Sequence, residues 1–468
     1  MAANHGLAGL TGRRVVVWGW GNEGRAAQRL LTHHALPASV TVIDDADAPS
    51  DEHVRRGADA RQALALAEVI VKSPGVSPYR VDVVAAATTA TLTGGTALWF
   101  EETGGERTIA VTGSKGKSTT SSLIAHLLEG LGADVALAGN VGRALLDLLD
   151  DDLLTSGTAA PAGRWNVLEL SSFQTAEVDH SPVVGVLTAL FPEHLDWHLS
   201  VERYYADKIN LFGHRPSAVV AANIDNADVA ARLHLLPNPL PYGRPGGIHP
   251  TDATIADAGG ETLLALDASP LLGRHNAINL CGALSAVRAV GFDLAAEIAS
   301  GRLPAALASF RPLAHRLERV GEVGGRLVVD DGLSTAPQAA VAALAAFAER
   351  PVSIIVGGHD RGLDYGALAA AVGSRSQPTW VLGVPESGPR IMERVAAEPA
   401  VSANDQVNTV CFDDFDDAIV RALEVTPRGG VILLSPAAPS FGRFTNYVDR
   451  SRHFRLLVGL REESDEAL

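Results

Sequence analysis

The stretch AVTGSKGKSTTSSLIAHLL, residues 110–128, decides the fold class. An apolar run ends at Gly113, a short polar loop follows, and from Lys117 onward the residues suit a helix. Strand, glycine turn and helix in that order aim backbone N–H groups and a helix N-terminus at one point, which suits a polyphosphate. The loop also holds two of the chain's few lysines. Of 38 basic residues only four are Lys: Lys72, Lys115, Lys117 and Lys208. A compact ammonium on a flexible stem fits a phosphate where the planar fork of Arg does not. Gly113-Ser114-Lys115-Gly116-Lys117-Ser118-Thr119 therefore reads as a nucleotide loop, with Lys117 for the terminal phosphates and the Ser118 hydroxyl for Mg²⁺. The spacing is about two residues shorter than the general G-x-x-x-x-G-K-[ST] pattern. The plain alternative, a glycine turn carrying surface lysines, fits poorly with so few lysines elsewhere.

Working outward, the same strand–helix alternation fills the chain. RRVVVWGWGNEGRAAQRLL is a strand, a glycine turn and a helix, and TVIDD and AEVIVKSPG continue as strands. TLTGGTALWFEETGGE suits a linker around residues 101–107. RTIAVTG, WNVLELSSF, VVGVLTALF and SAVVAANID form a second set of buried-type strands. LVVDDG, VSIIVGGHD, TWVLGV, VNTVCF and GGVILLSP form a third, with QAAVAALAAFAER as a long helix between them. Strands spaced by helices predict parallel sheets covered on both faces. A length of 468 residues predicts about three domains. The expected division is 1–105, 106–311 and 312–468: a Rossmann-like first domain, a central P-loop ATPase-type parallel or mixed sheet, and a Rossmann-like last domain, α/β throughout.

With 54 acidic residues against 38 basic, the net charge is −16. That balance argues against nucleic acid or an anionic membrane as partner, because phosphate backbones demand a basic footprint. Cys281 and Cys411 are the only cysteines, too few for a disulfide framework or a cysteine zinc site. No signal peptide follows the basic pair in MAANHGLAGLTGRR, no run is long enough to span a bilayer, and EESDEAL reads as an acidic tail. The expectation is a cytoplasmic protein.

Three further positions converge on the loop. Glu169 closes the strand of LELSSFQT, and FPEHLDWH places Glu193, His194, Asp196 and His198 at the end of the next. In doubly wound sheets ligands gather at the carboxyl ends of strands, so Glu169 and His194 are candidate Mg²⁺ ligands. Lys208, four residues after Tyr204 in YYADKINLF, shares a helix face with it. Buried, an amine can lose its proton and take up CO₂ as a carbamate, a metal-binding carboxylate. In the first segment, Gly19-Trp20-Gly21-Asn22-Glu23-Gly24 fits a dinucleotide fingerprint, with Asp44 or Asp45 about 20 residues on. Taken alone it suggests an NAD enzyme.

Across nearly the whole chain, WGWGNEG, VKSPGVSP, VTGSKGKSTT, AGNVG, LELSSFQT, FPEHLDWH, YYADK, GRHNAINL, AHRLERV, VGGHDRGLD and LLSPAAPSFGRFTNY resemble the Mur ligase family in order and spacing. The resemblance implies ATP-dependent addition of glutamate to UDP-N-acetylmuramoyl-L-alanine through an acyl phosphate, in peptidoglycan precursor synthesis, by a monomer. It implies two Mg²⁺ held by Ser118, Glu169, His194 and carbamylated Lys208. Lys117, Glu169, His194, Lys208 and Arg316 would be the catalytic set. ATP would meet the residues of the loop together with Asn276, Asn279, His315, Arg316 and Asp331. The UDP substrate would meet Asn22, Glu23, Ser73, Gly75, Asn140, Ser171 and Gln174, the first glycine loop cradling its pyrophosphate through backbone N–H groups. Glutamate would meet His194, Arg361, Ser440 and Tyr447.

The chain departs from the family at Leu333 and Ala336, where a Lys and an Asn are usual in D-glutamate-adding members. It departs again at Arg361, where a Lys is usual, and an Arg grips a carboxylate bidentately. WGWG, SPGVSPYR, GGTALWF, FPEHLDWH and SPAAPSFG are most similar to a divergent branch that adds L-glutamate, so the resemblance favours L- over D-glutamate. A folate-polyglutamating ligase would not need the first domain. A catalytically dead UDP-muropeptide sensor would lack Lys117, Glu169, His194 or Lys208, and all four are present.

Overall fold

The computed structural model describes residues 6–45, 54–312, 314–440 and 442–460. The tail EESDEAL, the first five residues of MAANHGLAGLTGRR, Leu313, and Phe441 of SPAAPSFG lie outside the described residues. The chain forms two compact units, one of Met1–Ser269 with Ile278–Phe310 and one of Pro270–Ala277 with Arg311–Leu468.

The first unit carries two parallel sheets. Strands β1 (Arg14–Trp18), β2 (Ser39–Ile43), β3 (Val54–Arg55), β4 (Val69–Lys72) and β5 (Thr91–Gly94) pair in the order 3-2-1-4-5, every pair parallel. Strands β6 (Thr108–Thr112), β7 (Val135–Gly139), β8 (Trp165–Glu169), β9 (Val184–Leu187), β10 (Val219–Asn223) and β11 (Pro239–Tyr242) pair in the order 11-10-9-6-8-7, again all parallel. The near-continuous apolar runs of β1, β6, β8 and β9 follow from burial on both faces. One apolar core runs from Val15 and Val17 through Leu30, Leu98 and Trp99 to Leu146, Leu168 and Leu187. That continuity explains why two sheets make one unit. The helix Asn22–His33 meets the helix Leu145–Ser156 across it, with Arg29 donating to both oxygens of Asp147 at 2.7 and 2.8 Å. A small antiparallel sheet of β12 (His249–Pro250), β13 (Thr254–Ala256) and β14 (Thr262–Ala265) completes the unit.

In the second unit, β15 (Glu318–Val323), β16 (Arg326–Asp330), β17 (Val352–Gly357), β18 (Thr379–Val384), β19 (Val407–Cys411) and β20 (Val431–Leu434) pair in the order 15-16-20-17-18-19. All pairs are parallel except the hairpin β15–β16.

The α/β class with parallel sheets agrees with the sequence reading, and several boundaries move. The expected linker at 101–107 is helical to Thr103, because Leu98, Trp99 and Phe100 are buried and hold the helix Gly95–Thr103 against the core. The chain turns only at Gly104 and Gly105, both left-handed. The strand read from VVGVLTALF stops at Leu187, leaving Thr188–His194 as a loop. The Ala-rich helix runs Pro337–Ala345 and stops short of the expected Arg350, with Phe347 in the core beyond it.

Candidate active site

The loop Gly113–Gly116 leaves the end of β6, which lies between β8 and β9 in the middle of its sheet. Gly113 (φ +145°) and Gly116 (φ +89°) lie where L-residues are strained, and a Cβ on Gly116 would come 2.5 Å from Asn279 Oδ1. The helix Lys117–Gly130 starts directly after the loop. Lys117 Nζ donates to the carbonyls of Gly113 and Ser114 at 3.0 and 3.1 Å. Ser114 Oγ sits 2.8 Å from the Tyr204 hydroxyl and accepts from the Phe191 N–H at 2.9 Å. Lys115 pairs with Glu193 at 2.6 Å, and Thr188 Oγ1 donates to the Lys115 carbonyl at 2.7 Å.

Lys208 comes from the helix Val201–Asn210 and is only 2% exposed. Its Nζ donates to the Gly113 carbonyl at 2.8 Å and lies 4.8 Å from the Tyr204 ring centre. Burial, then the neighbouring charge of Lys117, pushes this amine well below the usual lysine range. Glu169, 1% exposed at the end of β8, accepts from Asn140 Nδ2 at 2.9 Å through Oε1, while its buried Oε2 has no hydrogen-bond partner. His194 is exposed, with φ +55°, and its ring meets Phe173 edge-on at 4.9 Å. Partial desolvation by its ring neighbours lowers its pKa. Lys117, Lys115, Glu169, His194 and Lys208 thus gather at the β6 and β8 strand ends, although they span about 90 residues of sequence. A buried carboxylate oxygen lacking a donor beside an amine that loses its proton easily is a donor set suited to a hard divalent cation.

The first glycine loop links β1 to the helix Asn22–His33. Ser73 Oγ donates to the Gly19 carbonyl at 2.9 Å, Trp20 N donates to Asp44 at 2.5 Å, and Gly24 packs against Gly19 too closely for a side chain. Asn22 and Gly75 are exposed at its mouth. The Glu23 side chain turns into the seam towards the second sheet. Its Oε1 accepts from Gln174 Nε2 at 3.1 Å, and its buried Oε2 is unpartnered. Burial, then the charge of Asp147, raises its carboxyl to about 7. Gln174 is itself held in a capping box with Ser171. Beside it lies a small pocket walled by Lys72, Pro74, Gly95, Phe173, Gln174 and Glu177. Lys72, unused in the sequence reading, pairs there with Glu177.

In the second unit, His315 (φ +62°) lies 2.8 Å from Asp330 Oδ2 and edge-on to the Tyr447 ring at 5.6 Å. Asp331 accepts from Ser435 Oγ at 2.7 Å and from Leu317 N at 3.2 Å, and burial raises its carboxyl to about 7. Arg316 and Arg361 are exposed, and Ser440 is buried. Leu333 donates its N–H to the His315 carbonyl at 3.0 Å, and Ala336 caps the helix Pro337–Ala345. The helix Arg274–Ala289 carries Asn276 in the second unit and Asn279, three residues on, in the first, and Asn276 Nδ2 donates to the Leu272 carbonyl at 2.8 Å.

The sequence reading quoted His198 but gave it no role, and it missed Asp207 and Tyr79. His198 Nδ1 lies 2.6 Å from Asp207 Oδ2 and its Nε2 lies 2.9 Å from Ser172 Oγ, while the Tyr79 hydroxyl donates to Asp207 Oδ1 at 2.7 Å. Only the histidine-rich text of FPEHLDWH hinted at it.

These features define a doubly wound α/β protein whose site is built on a strand–glycine loop–helix turn. The description Mur ligase middle domain matches residues 111–287, and that of the Mur ligase glutamate ligase domain matches residues 315–438. A Micromonospora protein named UDP-N-acetylmuramoyl-L-alanine--L-glutamate ligase is 42% identical, over 96% of this chain and 97% of its own. A protein of the same name from Xanthomonas axonopodis pv. citri is 39% identical, over 97% of this chain and 96% of its own. The MurF ligase of Thermotoga maritima, solved in complex with ADP, shares the fold with a TM-score of 0.55 at 16% identity, over 96% of this chain and 95% of that one. The chain belongs to the Mur ligase family. Among the described residues no helix is long and apolar enough to cross a membrane.

Proposed function

We propose that this chain joins L-glutamate to UDP-N-acetylmuramoyl-L-alanine at the expense of ATP, as a cytoplasmic monomer in peptidoglycan precursor synthesis. The observation that carries the reading is the cluster of the Gly113–Lys117 loop, the Lys208 amine and the unpartnered oxygen of Glu169. Full-length likeness to proteins named for that reaction supports the choice of substrates and of the L isomer.

In this reading an alanine carboxylate oxygen attacks the γ-phosphorus of ATP and ADP leaves. The glutamate amine then attacks the acyl-phosphate carbonyl, loses a proton and expels phosphate. Lys117 and the N–H groups of Ser114–Thr119 offset the charge that develops on the transferring phosphoryl. Ser118, Glu169, His194 and Lys208 would hold two Mg²⁺, which when bound neutralise phosphate oxygens. Lys208 joins that set as a carbamate: its uncharged Nζ bonds to the carbon of CO₂ and releases one proton. Asn276, Asn279, His315, Arg316 and Asp331 serve the nucleotide. Asn22, Glu23, Ser73, Gly75, Asn140, Ser171 and Gln174 serve the UDP substrate, and His194, Arg361, Ser440 and Tyr447 serve glutamate. Three domains with boundaries near residues 105 and 311 belong to the same reading.

The test is phosphate release from ATP with UDP-N-acetylmuramoyl-L-alanine and either L- or D-glutamate, followed by mass analysis of the product. Turnover with L-glutamate alone is the expected result. Turnover with D-glutamate would keep the ligase and overturn the isomer, and silence with both would favour a sensor.

A further inference from the structure

The hydrogen-bonded chain Tyr79–Asp207–His198–Ser172 joins three elements that the site draws on. Tyr79 stands on the segment Ser73–Arg80 that follows β4. Asp207 is next to Lys208 on the helix Val201–Asn210. Ser172 opens the short helix Ser172–Thr175, which leaves β8 just past Glu169. An ionised carboxylate only accepts, so the hydrogen on Nδ1 of His198 points at Asp207, and Nε2 is left to accept from the Ser172 hydroxyl. One tautomer therefore satisfies both neighbours of a ring that is 0% exposed.

Packing fixes the ring as firmly as the bonds do. Phe173 stacks on Trp197 at 4.6 Å and lies nearly parallel to His198 at 5.5 Å. The edge contact of His198 with Tyr204 is 5.0 Å, and Tyr204 in turn lies under the Lys208 amine and hydrogen-bonds Ser114 of the phosphate loop. From the other side, Ser77 Oγ donates to the Trp197 carbonyl at 2.9 Å and Trp197 Nε1 donates to the Pro74 carbonyl at 3.2 Å. The turn Trp197–His198 is thereby bolted to the segment after β4 and to both helices at once.

We propose that His198 is a positioning residue for Lys208: held between Asp207 and Ser172, it sets the helix Val201–Asn210 against the Glu169 strand end, and Tyr79 carries the same restraint to the segment Ser73–Arg80. The inference rests on the reading of Lys208 as the carbamate-forming ligand. The position of a ligand's anchoring helix matters because loss of such supporting bonds costs about 10–100-fold in metal affinity or activity.

The experiment uses the full chain with ¹³C-labelled bicarbonate, reading the carbamate carbon by NMR alongside kcat and the KM for each substrate. His198→Phe keeps the ring packing and removes both hydrogen bonds, and Tyr79→Phe removes only the bond to Asp207. His198→Phe is expected to lose most of the carbamate signal and at least about tenfold in kcat, with the KM for glutamate unchanged. Tyr79→Phe is expected to lower kcat about threefold and raise the KM for the UDP substrate. If His198→Phe fails to fold, Tyr79→Phe alone decides. Full carbamate signal and full kcat in the folded variants overturn the inference. No carbamate signal in the unaltered protein would instead overturn the reading of Lys208 on which it rests.

Discussion

Two glycine turns in the first unit share a local design and differ in what stands behind them. Each follows a central parallel strand, each starts a helix, and each has a glycine that tolerates no side chain. Behind Gly113–Gly116 stand Lys117, Lys208 and Glu169, with a buried amine whose charge is suppressed. Behind Gly19–Gly24 stand Glu23 and Gln174, with a carboxyl raised to about 7 and no lysine in the turn. In the proposed function the turn serves as an anion cradle in both cases, since backbone N–H groups carry no identity of their own. On that reading the side chains behind it separate a loop that works on a phosphoryl group from one that only holds one.

The widest separation should come from Lys117→Ala. It is expected to lower kcat by about 10³-fold with little change in affinity for the UDP substrate, measured by steady-state kinetics and titration calorimetry. Comparable losses on both substrates would erase the distinction between the loops. Lys208→Ala should cost roughly 100-fold and recover in part when a short carboxylic acid is added. An absence of rescue in a folded variant would remove the carbamate from the reading. Paired alanines sharpen the contrast further. Gly116→Ala is expected to raise the KM for ATP about tenfold, because a Cβ meets Asn279 and the backbone is left-handed there. Gly24→Ala should instead raise the KM for the UDP substrate, and an effect on the same substrate from both would merge the two loops.

The smallest effect concerns pH. An acid whose pKa is higher in the folded chain adds stability below about pH 4.5 and loses it as pH rises through about 7. Glu23→Gln removes that loss. The variant should therefore gain on the unaltered protein between about pH 5 and pH 8, by on the order of 3 kcal/mol, read from denaturant midpoints. A pH-independent difference would mean that the carboxyl in the seam is ionised throughout.

Some of this was legible from single residues. The scarcity of lysine singled out Lys117 and Lys208, and both lie at the phosphate loop. The same count gave no hint that Lys72 pairs with Glu177 beside Trp197. His198 was visible as text in FPEHLDWH, yet its bonds to Ser172 and Asp207 were not, since they arise only when two helices pack together. The last turn of the helix Gly95–Thr103 was read into a linker around residues 101–107, because its acids and the glycines beyond look like a loop until Trp99 and Phe100 are seen buried.

Strand and helix order and both glycine turns were determined by sequence alone, because backbone sterics and apolar periodicity act over a few residues, and the order of the motifs carried the Mur ligase resemblance. Tertiary structure decided which polar groups are paired, and it decided that Lys208 and Glu23 are pushed from their usual charge states. Those shifts come from desolvation and from charges about 15 to 125 residues away in the chain, which meet these groups only after the sheets have packed.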